Sequence, residues 1–351
     1  MIRPLLLELA ASGHRLPIGA DLVLHEEPQP DLARLDPLRL GQVIERAARR
    51  YRTPLAFPLM DLRLEKADLL SAFDVSADAV DSFHFRAAPG EDAIARVTHQ
   101  DERPFPPGSA AQQGALRYIA TQTDLVPVGM AIGPFSLMTR LLEDPITPLA
   151  IAASGASEDE DASVRLASAT LRMALATVLR SVRAQTRAGA RAVILCEPAV
   201  SVTYLSPRMM ARAPQVLEQF VLDPLRRVRD QIAAAGADLI LHDCGQLSTD
   251  LVQKLSSELH PAMLSLGSGR RLWEDAAVVP RDTVLYGNLP TRQFYSDAAM
   301  PEEEVRRLTR ELMDRMQATG HPVILGSECD VLHVPDAAET IRRKVEIMLE
   351  A

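Results

Sequence analysis

Short apolar, partly β-branched runs recur along the chain, each followed by a longer stretch with helical period or turn residues. This alternation calls for βα units, because one parallel strand reaches the next only through a long crossover, usually a helix. Eight runs qualify as strands: Leu55–Met60, Asp81–Arg86, Val126–Ile132, Ala192–Glu197, Asp238–His242, Ala262–Leu266, Thr283–Tyr286 and Pro322–Leu325. Asp81–Arg86 is the least apolar of them, with Ser82 and His84 alternating with Phe83 and Phe85. Helical patterns lie between, at Val164–Ala188, Pro214–Ala235 and Glu302–Thr319, with Pro301 and acids opening the last and Gly236 and Gly320 placed as C-terminal caps. Eight units within 351 residues fit a single α/β domain, a (β/α)8 TIM barrel. Residues 1–53 read as an N-terminal helical extension packed on the barrel, closing its bottom or reaching over its mouth, and residues 54–351 as the barrel itself.

Composition excludes several classes. The chain is 47% hydrophobic and 24% charged, enough to bury a large core. A formal net charge of -9 argues against nucleic acid or an anionic membrane as partner, since both call for clustered Lys and Arg. Three cysteines, an odd and sparse set, do not make a secreted disulfide framework and point to a reducing cytoplasm. Met1–Ala11 reads as a packed helix rather than a leader, and no apolar run approaches the roughly 18 to 20 residues of a membrane helix, so a soluble protein is expected. The acidic run Ser154–Ser163 is expected to be a solvated loop before a helix.

One strand ends in potential metal ligands. In Leu239-Ile240-Leu241-His242-Asp243-Cys244-Gly245 side chains alternate faces, so His242 and Cys244 point to one side and Asp243 to the other. Cys329, far along the chain and just beyond the last candidate strand, is the third candidate; a barrel would bring it to the same mouth. Two Cys and one His match an open catalytic zinc site better than a closed four-ligand one. An ordinary core histidine with two buried free cysteines is the plainer alternative. Cys196 and Glu197 are adjacent and must face opposite ways: if Glu197 looks into the mouth, Cys196 faces the helix layer as packing. Glu197 then either salt-bridges a neighbour or completes the zinc shell when substrate is absent. Asn288, in Gly287-Asn288-Leu289-Pro290, either lines the mouth, bonding substrate or a metal ligand, or fixes a turn.

These stretches, with Gly133-Pro134-Phe135-Ser136, Glu197-Pro198-Ala199-Val200-Ser201 and Ser206-Pro207, resemble the uroporphyrinogen decarboxylase and cobamide-dependent methyltransferase superfamily, in particular its methylcobamide:coenzyme M methyltransferase branch. The similarity runs from about Arg52 to the C-terminus. The resemblance implies a zinc ion held by His242, Cys244 and Cys329, catalytic roles for Glu197 and Asn288, and cofactor binding by Gly133, Pro134 and Phe135. It also implies methyl transfer involving a corrinoid, methylcobalamin or a corrinoid on a partner protein, with a thiol or methylated small molecule. The decarboxylase branch holds porphyrinogen carboxylates with an arginine-rich N-terminal segment, which Phe57-Pro58-Leu59-Met60-Asp61-Leu62-Arg63 does not reproduce. A metal-free lyase of that type and a non-catalytic barrel that binds a corrinoid protein or metabolite are the alternatives.

Overall fold

A computed structural model of the protein, describing residues 1–98 and 103–351, has eight strands: β1 (Arg15–Ile18), β2 (Leu55–Ala56), β3 (Val126–Ile132), β4 (Ala192–Cys196), β5 (Asp238–Asp243), β6 (Met263–Leu266), β7 (Val284–Leu289) and β8 (Val323–Asp330). Every ladder is parallel, in the order β1-β8-β7-β6-β5-β4-β3-β2. The sheet curls into a TIM-barrel-like α/β fold in which no ladder joins β1 to β2 among the described residues. Two apolar clusters follow from the two-residue period of the strands. Leu16, Met130, Ile194, Cys196, Ile240 and Tyr286 belong to the barrel interior. Leu195, Leu241, Leu264, Leu285 and Leu325 join the layer shared with the helices.

The strand assignment differs from the sequence reading at two places. Asp81–Arg86 is not a strand: Phe85 makes an isolated bridge to Leu142, while Phe73 and Phe83 stand edge-on to its ring at 5.1 and 5.0 Å. The alternation of aromatic and polar residues there builds an aromatic cluster. The missing strand is β1, inside the stretch read as helix and loop. Arg15-Leu16-Pro17-Ile18 is short and carries a proline, which a strand with a ladder on one side only tolerates. The helix Arg3–Ala11 before it closes the barrel bottom, with Ile2, Leu6 and Leu9 in the interior cluster. The backbone amides of Ile2 and Arg3 donate to the Asp238 carboxylate at the start of β5, the latter at 2.9 Å.

The three long helical patterns form at Ala162–Arg187, Glu302–Thr319 and, through a π-helical stretch at Glu218–Leu222, from Pro214 to Ala234. Asp161, the last acid of the run Ser154–Ser163, caps the first through the amides of Ser163 and Val164. Gly320 closes Glu302–Thr319 at φ 64°. Against the expectation that no run approaches the length of a membrane helix, Ala162–Arg187 has the length and composition to cross one, yet 61% of its most apolar window is buried; it packs on Pro134–Leu141 and Asp223–Ala234.

Candidate metal centre

His242, Cys244 and Cys329 meet at the carboxyl ends of β5 and β8, with one ligand atom from each lying within 4.8 Å of the others. His242 is buried, and both thiols are half-buried, so the cluster opens to the barrel mouth. Several local features hold it. Cys244 follows a turn in which the Gly245 amide donates to Asp243 Oδ1 at 2.8 Å; a Cβ on Gly245 would come 2.7 Å from the Pro198 carbonyl oxygen. Cys329 lies within β8, not beyond it.

The His242 ring is oriented from behind. Nδ1 lies 2.8 Å from Ser265 Oγ on β6, and Nε2 is buried without a hydrogen-bond partner. An orphaned buried nitrogen costs free energy, and a cation is a partner that removes this cost. The tautomer with Nδ1–H donating to Ser265 leaves the Nε2 lone pair free for a metal. The Cys329 thiol is pushed below the usual thiol range, first by the hydrogen bond from the Cys244 thiol and then by the His242 ring and the Arg292 guanidinium, against the effect of burial. Cys244 moves up, as the thiol that donates to Cys329. A thiol held on the acidic side beside a second thiol and an imidazole is a donor set that favours a cation. The donor set and its orphaned nitrogen fit a zinc ion held by two thiolates and one imidazole.

The other expected site residues stand elsewhere. Cys196 pairs in register with His242 and faces the barrel interior, so Glu197 faces the helix layer; the conditional reading of the pair is inverted. Cys196 is packing, as expected, but on the inner side, and it lies outside the ligand cluster. Glu197 is fully buried, accepting from the backbone amides of Phe135 (3.1 Å) and Ser136 (2.9 Å) and from Ser136 Oγ (2.6 Å). It anchors the N-terminus of helix Pro134–Leu141, where backbone donors and the helix dipole favour an anion, and burial still lifts its carboxyl to about 7. Gly133, Pro134 and Phe135 are the other half of this contact: a Cβ on Gly133 would lie 2.0 Å from Glu197 Oε1. Asn288 lies in β7 rather than in a turn after it. Its Nδ2 donates to the carbonyls of Gly267 (2.8 Å) and Arg270 (2.9 Å), holding the loop after β6 against the Cys244 backbone, which a Cβ on Gly267 would meet at 2.8 Å.

Three residues at the site escape a reading based on ligand types. Ser265 is visible only as a lone hydroxyl in the apolar run Ala262–Leu266. Arg292, on the loop after β7, reaches Cys244 Sγ at 3.5 Å. Glu328 accepts from the Arg292 amide at 3.3 Å and from the Ser268 hydroxyl, tying the loops after β6 and β7 to β8.

The fold and site define an α/β barrel with a three-ligand metal candidate at its mouth. The uroporphyrinogen decarboxylase (URO-D) family model matches residues 91–349, and the chain belongs to that family. Among solved structures, a methyltransferase from Methanosarcina mazei superposes with a TM-score of 0.65 at 14% identity, covering 97% of this chain and 96% of that one. A 3-keto-D-glucoside 4-epimerase from E. coli gives a TM-score of 0.41 at 12% identity over 76% of this chain and 97% of that one. A putative vitamin-B12 independent methionine synthase from Listeria monocytogenes gives 0.42 at 12% identity over 95% of both chains. These likenesses concern the fold. No match is found among curated proteins.

Proposed function

We propose that the protein is a zinc-dependent methyltransferase that moves a methyl group between a corrinoid, free or on a partner protein, and a thiol or methylated small molecule. The observation that carries this reading is the convergence of His242, Cys244 and Cys329 with Nε2 of His242 buried and unpartnered. When bound, zinc supplies Lewis acidity, keeping a substrate sulfur deprotonated at neutral pH, while the corrinoid carries the methyl group. The chain's own residues do the rest. Two thiolates and a neutral imidazole balance the cation's charge, so a substrate thiolate keeps its electron density. Ser265 holds the His242 ring in one orientation, and Arg292 faces the thiolates from the open side. Asn288 acts on this reading through the Gly267 loop that backs Cys244, and Glu197 through the helix it anchors.

Family membership alone also allows a decarboxylase-type lyase. The segment after β2 offers little for that role, since Arg63 is engaged by Asp61 at 2.8 Å through both its Nε and Nη2. Metal analysis and a methyl-transfer assay decide between the readings. Purified protein is expected to hold about one zinc per chain, lost in Cys329→Ser and retained in Cys196→Ser, and to demethylate methylcobalamin with at least one of a panel of small thiols, or to methylate reduced corrinoid from a methylated donor. Equal zinc retention in the two variants removes the ligand assignment. Zinc binding without methyl transfer, in the presence of corrinoid protein or free cobalamin, overturns the proposed reaction.

A further inference from the structure

Three protein ligands leave one position of a tetrahedral metal to be filled. Glu197, the carboxylate that charge alone would favour for it, is spent on the helix Pro134–Leu141. A different side chain reaches one of the ligands. Met60, in the loop after β2, places Sδ 3.6 Å from Cys329 Sγ. Two sulfurs bound to one tetrahedral metal at ~2.3 Å lie about 3.8 Å apart, so the separation matches the edge of a shared coordination shell. The position of Met60 is built rather than incidental. Its side chain packs against the barrel interior, and its backbone amide faces the carboxylate of Asp330, the residue directly after Cys329. Asp330 is enclosed in turn, with no room for a Cβ on Gly19 beside it. The loop after β2 is thereby fixed to the strand end that carries Cys329.

We propose that the Met60 thioether is the fourth, displaceable ligand of the metal in the substrate-free protein. The inference rests on the metal centre of the proposed function. A thioether is soft, as thiolates are, and suits the same metals. It is also neutral, so it leaves the charge balance of two thiolates and one imidazole unchanged, and it binds more weakly than a thiolate. An incoming substrate sulfur exchanges with Met60 one for one, without redox change, and the unbranched side chain has the rotamer freedom to withdraw.

The test is X-ray absorption on wild type and Met60→Leu, each loaded with zinc, before and after adding 2-mercaptoethanol. Leucine conserves volume, so the fold is expected to tolerate it. In the wild type the sulfur count is expected to be three and to stay at three as the thiol replaces Met60. In Met60→Leu it should be two and rise to three. A wild-type count of two before thiol overturns the proposal by itself, whatever the variant does, and reduces Met60 to a packing contact while leaving the three-ligand centre intact. A wild type that binds no zinc removes the metal centre and this inference together, so the two failures are told apart by metal content.

Discussion

At the residue scale, the candidate metal centre depends on groups outside its three ligands. Ser265 is the clearest case: it sits on β6, one strand over from His242, and its hydroxyl is the partner of Nδ1. Outer partners of this kind orient a ligand and set its tautomer, and losing them costs metal affinity by about 10–100-fold. Ser265→Ala is therefore expected to lower zinc affinity by that factor with little change in the unfolding midpoint, as read by competition with a chromophoric chelator. An affinity equal to wild type would mean that packing alone orients the ring. In the same way, the sequence placed His242 and Cys244 on one face by their spacing, but it could not show which neighbouring hydroxyl or guanidinium meets them, because those contacts cross between strands.

At the element scale, two contacts fix helices to strand ends. Glu197 links β4 to helix Pro134–Leu141, and Gly133 leaves the room for it. Gly133→Ala puts a methyl group 2.0 Å from Glu197 Oε1, an overpacking expected to cost about 1–3 kcal/mol. Combining it with Glu197→Ala, which clears the space, should cost less than the sum of the two single changes; additive unfolding energies in urea would show that Gly133 and Glu197 are not coupled. The second contact is Glu65 on helix Leu64–Ser71, buried against the Ile132 amide and bonded at 2.7 Å by Ser181 on helix Ala162–Arg187. Burial lifts its carboxyl from 4.5 to about 7. The native state thus holds this proton more tightly than the unfolded chain, so its contribution is full below pH ~4.5 and fades as pH rises through about 7. Over that window the wild type should lose up to ~3 kcal/mol relative to Glu65→Gln. Denaturant unfolding of both proteins at pH 5 and pH 8 measures the gap, and a pH-independent difference would count against a buried, titrating Glu65.

At the scale of the whole molecule, β1 joins the sheet through β8 alone among the described residues, and the buried Tyr286 of β7 reinforces that junction. Its hydroxyl donates to the Leu16 carbonyl at 2.9 Å and accepts from the Ser327 amide at 3.1 Å. Tyr286→Phe leaves both backbone groups short of a partner and is expected to destabilise the protein by about 1–3 kcal/mol, with faster amide exchange in β1; unchanged exchange there would show that β1 is held by side-chain packing instead. The sequence by itself determined the alternation of strands and long helices, seven of the eight strands, and the shared face of His242 and Cys244, because each is written in a local period. Only the tertiary structure decided the rest. A two-residue period says that Cys196 and Glu197 face opposite ways but not which one faces inward. The hydrophobic content of Asp81–Arg86 and Arg15–Ile18 does not reveal which one finds a partner strand. The approach of Arg292 to Cys244 and of Met60 to Cys329 is set by how the sheet curls, since separation along the chain carries no information about distance across a barrel mouth.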